Sequence, residues 1–194
     1  MPSADMTATK NVQELLDLLS TKGQEAYFGE QISILEHSLQ CAYFAEQSHA
    51  SAPAIAAALL HDIGHVLHGL GEDIAQHGKD GRHEAIGAAY LSRWFDEAVI
   101  EPVRLHVDAK RYLCATDPTY ISQLSPASVE SMQIQGGIMS GEEAGVFGAL
   151  PNARMAVQLR RWDDEAKIQH LKVPGLEHYL PILRAALEAP GTPQ

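Results

Sequence analysis

The sequence contains a series of histidines and aspartates whose types and order could bind metal ions. Ten histidines accompany 25 acidic residues, and the series centres on the adjacent pair His61-Asp62. A neutral imidazole nitrogen ligates one metal, whereas a carboxylate can bridge two cations. The pair follows a very apolar stretch, where burying an unpaired aspartate would be costly. The other candidate ligands are His37, His83, His106 and Asp163.

Several of these residues also have an ordinary structural interpretation. His37 and Cys41 are spaced i, i+4 and could both belong to a helix core. Arg160, Asp163 and Lys167 have the spacing of ion pairs along one exposed helix face. Taken singly, these spacings leave both interpretations open.

The donor types narrow the choice of metal. His61 and His65 have the spacing of half a zinc site, but the glutamate of the zinc-protease form His-Glu-x-x-His is absent after His61. The candidate set contains no thiolate. This favours iron or manganese over structural zinc.

Helical patterns dominate the chain and would position these residues. Apolar residues recur at helical spacing, Pro53 precedes the apolar stretch, and Ser125 and Ser140 have the sequence context of helix N-caps. We find no alternating strand of five or more residues, so the sequence predicts an all-α fold. The predicted helices cover residues 11–19, 32–49, 54–60, 83–95, 98–113, 152–167 and 174–187.

The length of 194 residues suggests a single domain. We expect this domain to cover residues 10–188, with flexible tails at 1–9 and 189–194. Five glycines between residues 64 and 82 predict a surface loop, which could be either a lid over a site or a plain connector.

Composition excludes several classes of function. The net charge of −11 argues against binding to nucleic acid or to an anionic membrane, although a local basic pocket for a small anion remains possible. No apolar run is long enough to span a membrane. Two cysteines do not make a disulfide scaffold, and the N-terminus lacks the apolar core of a signal peptide. We therefore expect a cytoplasmic protein.

The order His…His-Asp…Asp resembles the HD-domain superfamily of helical metalloenzymes. The two additional histidines between the pair and the last aspartate are what a second metal requires. The chain most closely resembles the phosphonate-cleaving HD oxygenases of the PhnZ/TmpB type, over about residues 27–167. The matching segments are 35–42, 61–65, 106–113, 135–140 and 160–167.

This resemblance implies a mixed-valent pair of irons, Fe(II)/Fe(III), in each chain. By position, His37, His61, Asp62 and Asp163 would hold one iron. Asp62, His83 and His106 would hold the other, with Asp62 bridging the two. Asp164 is an alternative to Asp163, which we prefer because it follows the aromatic Trp162.

The resemblance also implies a substrate pocket. Tyr27 and Glu30 match a pair near the second iron, where the tyrosine moves out when substrate binds. His65, Lys110, Ser128 and Arg160 match residues that line the pocket, and Tyr27 and His65 are the expected catalytic side chains. Lys110 and Arg160 would supply the local positive field that the overall charge lacks.

The implied reaction is cleavage of a carbon–phosphorus bond by dioxygen. The expected substrate is 2-amino-1-hydroxyethylphosphonate or its N-trimethyl analogue, and the products are phosphate and glycine or glycine betaine. The amine end and the oligomeric state stay open at this point. The rival functions are a metal-dependent phosphohydrolase with the same ligands, acting on a nucleotide or phosphate ester, and a non-catalytic HD scaffold.

Overall fold

A computed structural model of the chain describes residues 4–27, 30–68 and 81–188, with side chains from residue 12 onward. Within these ranges the fold is an all-α single domain, as predicted, and its only β-type pairing is an isolated bridge between Ala26 and Ser33. None of the described helices is long and apolar enough to cross a membrane. The α-helices are α1 Ala4–Lys22, α2 Ile34–Gln47, α3 Ala52–Leu60, α4 Ile63–His68, α5 His83–Leu91, α6 Glu97–Thr116, α7 Pro126–Ile134, α8 Gly141–Gly148, α9 Ala153–Glu165 and α10 Leu176–Glu188, and a short 3-10 helix covers Tyr120–Gln123.

The centre of the bundle is α3. Every residue from Ala54 to Leu60 is buried, and α3 packs against α2, α6, α9 and α10. Its alanines let these neighbours approach closely, while Leu59 and Leu60 fill the core. The His61-Asp62 pair, which directly follows α3, is thereby delivered to the middle of the molecule.

The helix ends follow the local chemistry that the sequence indicated. Ser125 accepts a hydrogen bond from the amide of Ser128. Ser140 forms a capping box with Glu143, and Ser33 forms another with Glu36 at the start of α2. These caps satisfy amides that have no partner within the helix.

Two boundaries differ from the prediction. The first helix begins at Ala4, whereas the prediction began it at residue 11, so residues 4–9 have helical backbone. The glycine-rich stretch begins as a helix, since residues 64–68 belong to α4. Gly64 is required for packing: a Cβ there would lie 2.0 Å from the carbonyl oxygen of His83. Residues 69–80 of the predicted surface loop and the predicted tail 189–194 lie outside the described residues.

Candidate metal centre and anion pocket

Five helices bring the six predicted metal ligands together in the core. His37 lies on α2, His61 and Asp62 follow α3, and His83 is the first residue of α5. His106 comes from α6 and Asp163 from α9. All six side chains are buried, none more than 7% exposed.

Asp62 stands between two groups of ligand atoms. Its Oδ2 lies 3.3 Å from His61 Nε2 and 3.6 Å from His37 Nε2. Its Oδ1 lies 3.3 Å from His83 Nε2 and 3.5 Å from His106 Nε2. Asp163 Oδ1 completes the first group, 3.4 Å from His37 Nε2. One carboxylate therefore faces two potential metal positions, one with each oxygen.

Backbone carbonyls fix the orientation of three of the imidazoles. Nδ1 of His37 lies 2.7 Å from the carbonyl oxygen of Ala166, Nδ1 of His61 lies 2.9 Å from that of Ala58, and Nδ1 of His106 lies 2.7 Å from that of Val103. A carbonyl can only accept, so each Nδ1 carries the proton. Nε2 is then the unprotonated nitrogen, and it points into the cluster.

This arrangement fits metal ions. The Nε2 atoms of His37 and His61 are 3.2 Å apart, and those of His83 and His106 are 3.0 Å apart. His37 and His61 both carry the proton on Nδ1, so their facing Nε2 lone pairs repel each other unless a cation lies between them. Asp62 Oδ2 and Asp163 Oδ1 are buried and accept no hydrogen bond from the described residues. Imidazole nitrogens and carboxylate oxygens are suitable donors for iron or manganese.

Tyr27 and His65 lie at the edge of this cluster, and the amide of Glu30 donates to the Tyr27 carbonyl oxygen at 2.7 Å. The Tyr27 ring stacks on that of His37, with centroids 4.0 Å apart, and the pKa of Tyr27 is raised well above its usual value by burial and by the nearby Asp62 carboxylate. His65 stacks on His83 at 3.9 Å, and its Nε2 lies 3.9 Å from Asp62 Oδ1. The structure therefore places both expected catalytic side chains beside the ligand cluster.

A pocket of cationic groups adjoins the cluster. Arg160 Nη1 lies 2.7 Å from Asp163 Oδ2, and its Nη2 lies 3.4 Å from Ser128 Oγ. Lys110 Nζ lies 3.5 Å from the Ser128 carbonyl oxygen. The three predicted anion-binding residues are thus together, and Arg160 connects them to the candidate metal ligand Asp163. We call the site formed by Lys110, Ser128, Arg160 and their partners the anion pocket.

Electrostatics distinguish the two regions. Burial opposes ionisation of Asp163, but the positive charge of Arg160 outweighs it and holds the pKa of this carboxyl well below its usual value. Burial, together with the charge of Arg160, lowers the pKa of Lys110 to about 7. An incoming anion would offset this cost and favour the charged ammonium.

The structure separates the two neighbouring aspartates on α9. Asp163 faces the histidines, whereas Asp164 forms a short ion pair with Arg160 and accepts a short hydrogen bond from the Tyr120 hydroxyl. Successive helix residues point about 100° apart, so only one of the two can face the cluster. The geometry favours Asp163 as the ligand.

Other polar residues of the pocket were not predicted from the sequence. Lys110 Nζ donates to Ser131 Oγ at 2.8 Å and to Gln135 Oε1 at 2.7 Å. Lys167 Nζ donates to Ser128 Oγ at 3.0 Å, and Arg160 Nε donates to the Tyr120 hydroxyl at 3.2 Å. Gln135 and Lys167 lie in segments that carry the family resemblance, which was the available signal. Ser131 and Tyr120 carry no local signal.

The HD-domain family model matches residues 34–134, which include His37, His61-Asp62, His83 and His106. The chain belongs to the HD-domain family. The match ends before Asp163, the ligand candidate that α9 adds to this HD-domain protein.

Three relatives resemble the chain over most of its length. It is 44% identical to a hydroxymethylphosphonate dioxygenase from Gimesia maris over 96% of this chain and 92% of that protein. It is 37% identical to a [1-hydroxy-2-(trimethylamino)ethyl]phosphonate dioxygenase (glycine-betaine-forming) from Leisingera caerulea, over 92% and 91% of the two chains. An uncharacterised protein of Acanthamoeba polyphaga mimivirus is 34% identical over 88% of this chain and 78% of that one. Family membership and the ligand cluster together indicate a metal-binding protein.

Proposed function

We propose that this HD-domain protein is a di-iron dioxygenase that cleaves the C–P bond of a 1-hydroxyphosphonate. The proposal rests on the direct contact between the metal cluster and the anion pocket. Asp163, which faces the metal-ligating histidines, is bonded through its other oxygen to Arg160 of the anion pocket. A phosphonate bound at Arg160 would therefore have its C1 beside the metal centre. The names of two relatives, both phosphonate dioxygenases, support this reaction.

The reaction balances without an external reductant. One substrate, R–CH(OH)–PO3H2, and one dioxygen give R–COOH and H3PO4. The C–P bond breaks, and C1 is oxidised by four electrons to the carboxylic acid level while dioxygen is reduced. A C–P bond has no polarised leaving oxygen, which makes simple hydrolysis difficult. Oxidation of C1 is what releases the phosphorus group.

Two irons, held by His37, His61, Asp62 and Asp163 and by Asp62, His83 and His106, would supply the activation of dioxygen and the binding of the C1 hydroxyl. The anion pocket orients the substrate. Lys110 and Arg160 bind the phosphonate oxygens by charge-assisted hydrogen bonds, and the Ser128 hydroxyl adds a neutral contact. Fixing the phosphonate fixes the direction of the C–P bond that breaks.

In this proposal, Tyr27 and His65 lie beside the metal ligands, on the side where the substrate binds. Because the pKa of Tyr27 is raised, its phenol keeps its proton, and its ring lies against His37 of the first ligand group. His65 lies close to His83 and to Asp62 Oδ1. It is placed to hold the proton that the C1 hydroxyl gives up as it binds.

The substituent R distinguishes the candidate substrates. The substrates in the two relatives' names are both 1-hydroxyphosphonates and differ in R. In one R is a hydrogen atom, and in the other it is a methylene group that carries a trimethylammonium. Glu30 Oε1 is buried and has no hydrogen-bond partner among the described residues. A primary ammonium can donate to this oxygen, whereas a trimethylammonium cannot. Glu30 follows Tyr27 in the same turn, its amide donating to the Tyr27 carbonyl oxygen at 2.7 Å, and we propose that its carboxylate binds the amine end, which would favour 2-amino-1-hydroxyethylphosphonate.

The proposal is tested with iron-loaded protein and the three hydroxyphosphonates, followed by phosphorus NMR. We expect inorganic phosphate in air, none without dioxygen, and the highest kcat/KM for the primary amine. Substitution Glu30→Gln should lower kcat/KM for the amine but not for hydroxymethylphosphonate. Phosphate released equally with and without dioxygen, from a phosphate ester rather than a phosphonate, would indicate the hydrolase instead.

A further inference from the structure

Lys167 contacts the anion pocket from the segment that follows α9. Its Nζ lies 3.0 Å from Ser128 Oγ, the hydroxyl that Arg160 Nη2 approaches at 3.4 Å. We propose that Lys167 is a third cationic substrate-binding residue, and that it makes the pocket selective for a doubly charged tetrahedral anion. The inference rests on the function proposed above and deepens it.

Both neighbours of Lys167 are fixed to α2. The carbonyl oxygen of Ala166 accepts a hydrogen bond from His37 Nδ1 at 2.7 Å. Gln40, which is buried, donates to the carbonyl oxygen of Ile168 at 2.8 Å and accepts from its amide at 3.0 Å. The backbone on each side of Lys167 is therefore anchored by side chains of one helix. The turn that orients a metal ligand also directs Lys167 to the pocket.

An ordinary surface ion pair does not explain this placement. The side chain of Lys167 is only 13% exposed, and its Nζ is 3.9 Å from both Asp163 Oδ1 and Asp164 Oδ1. These distances exceed hydrogen-bond length. Both carboxylates already have direct contacts with Arg160. The only hydrogen bond described for the Lys167 ammonium group is the one to Ser128, inside the pocket.

The balance of charge in the pocket suits a dianion. Asp164 offsets the charge of Arg160, and Asp163 is directed at the metal centre by one oxygen. Lys110 and Lys167 then provide two ammonium groups whose short contacts are all to neutral oxygens. A phosphonate can carry two negative charges, whereas a sulfonate of the same shape carries one. Two lysines matched to two charges discriminate between them.

The test measures binding of methylphosphonate and methanesulfonate to the metal-loaded protein by isothermal titration calorimetry. Neither ligand has a C1 hydroxyl, and at mildly alkaline pH they differ mainly by one charge. Substitution Lys167→Met should raise the Kd for methylphosphonate about tenfold or more, as expected for loss of a charge-assisted bond. The Kd for methanesulfonate should rise less than about threefold, because Lys110, whose charged ammonium a bound anion favours, remains for its single charge.

Three controls make the result decisive. Lys167→Arg keeps the charge and should restore most of the affinity, whereas Lys172→Met removes an exposed lysine nearby in sequence and should change nothing. If Lys167→Met lacks a cooperative melting transition, Lys167→Gln replaces it. Unchanged methylphosphonate binding, or equal losses for both anions, would overturn the inference. Lysine-dependent binding in a protein that releases no phosphate from any hydroxyphosphonate would overturn the proposed function and leave this inference standing.

Discussion

The metal cluster and the anion pocket adjoin each other but satisfy their polar groups in opposite ways. In the cluster, unprotonated nitrogens and carboxylate oxygens converge, and two buried oxygens accept no hydrogen bond from the described residues. In the anion pocket, the ammonium and guanidinium groups already have acceptors, namely Ser131 and Gln135 for Lys110 and Tyr120 and Asp164 for Arg160. The cluster therefore needs a cation to bind its unpartnered donor atoms, whereas the cationic groups of the pocket have hydrogen-bond acceptors even without an anion.

This difference indicates how each region binds its ligand. Three of the four imidazoles are held by backbone carbonyls, so most of the donor geometry is preorganised for metal. The acceptors of Lys110 are neutral side-chain oxygens, which a charged phosphonate can replace at little cost. The metal centre should therefore be rigid, and the pocket should exchange partners when substrate binds and when phosphate leaves.

The largest effect is expected for Asp62→Ala, which removes the carboxylate that faces both candidate metal positions. We expect fewer than two metals per chain by mass spectrometry and a loss of kcat of more than about 100-fold, since loss of even an outer partner of a metal ligand costs 10- to 100-fold. Asp17→Ala, an exposed aspartate on α1, is the matched control. Retention of two metals by Asp62→Ala would refute the bridging role.

The adjacent aspartates of α9 contact different regions. Asp163 faces the metal cluster, and Asp164 contacts Arg160 of the anion pocket. Asp163→Asn should lose metal from the group that contains His37 and His61. Asp164→Asn should keep both metals and lower the KM for phosphonate about tenfold, because Arg160 loses the carboxylate that offsets its charge. Metal analysis and kinetics of the pair check this, and the reverse pattern would exchange the two assignments.

The pH dependence of substrate binding tests whether Lys110 titrates near neutral pH in the pocket. Lys110 has a pKa of about 7, lowered by burial first and by the charges of Arg160 and Lys167, and opposed by Asp163 and Asp164. Its hydrogen-bond partners are neutral: Ser131 on α7 and Gln135, which directly follows α7. In the free enzyme, Lys110 therefore loses its charge as the pH rises through about 7.

Wild-type KM for phosphonate should consequently rise with pH relative to that of Lys110→Arg, whose guanidinium stays charged. Bound metal cations act on Lys110 in the same direction as burial. The ratio of the two KM values across this range is the measurement, since ionisation of the substrate cancels in it. A ratio independent of pH would contradict the titration of Lys110.

The smallest expected effect comes from Tyr120→Phe. This change removes a hydroxyl that contacts Arg160 and Asp164 and leaves both charges in place. A hydrogen bond to a charged group contributes about 1.5–3 kcal/mol, but only the share that positions Arg160 acts on substrate binding, so KM should rise about two- to tenfold with metal content unchanged. Tyr43→Phe, on a half-buried tyrosine that packs against Phe44, is the control. A loss of metal in Tyr120→Phe would mean that the two regions are not separable.

Much of the architecture was predictable from local chemistry. The caps at Ser125 and Ser140 and the buried helix before His61 follow directly from residue type and spacing. The extent of the glycine-rich stretch was predicted wrongly at its start, because Gly64 serves close packing against His83 and not chain flexibility. A glycine does not reveal from sequence alone which of these two roles it has.

The site was only partly predictable, for a geometric reason. Arg160 and Asp163 form the ion pair that their spacing predicts, but this pair is buried. The contact is therefore consistent both with an ordinary ion pair and with a functional role. Tyr120 and Ser131 reach the pocket from separate elements, so no spacing along the chain connects them with Arg160 or Lys110. Their contribution depends on how α6, α7 and α9 pack.

The central claim is that Asp62 joins two irons beside a phosphonate pocket. Mössbauer spectroscopy of protein loaded with 57Fe, with and without a hydroxyphosphonate under anaerobic conditions, tests this claim most directly. We predict two iron environments in equal amounts that are magnetically coupled, and a change in the spectrum when the phosphonate binds. A single mononuclear iron, or two uncoupled irons that are insensitive to the phosphonate, would contradict the account.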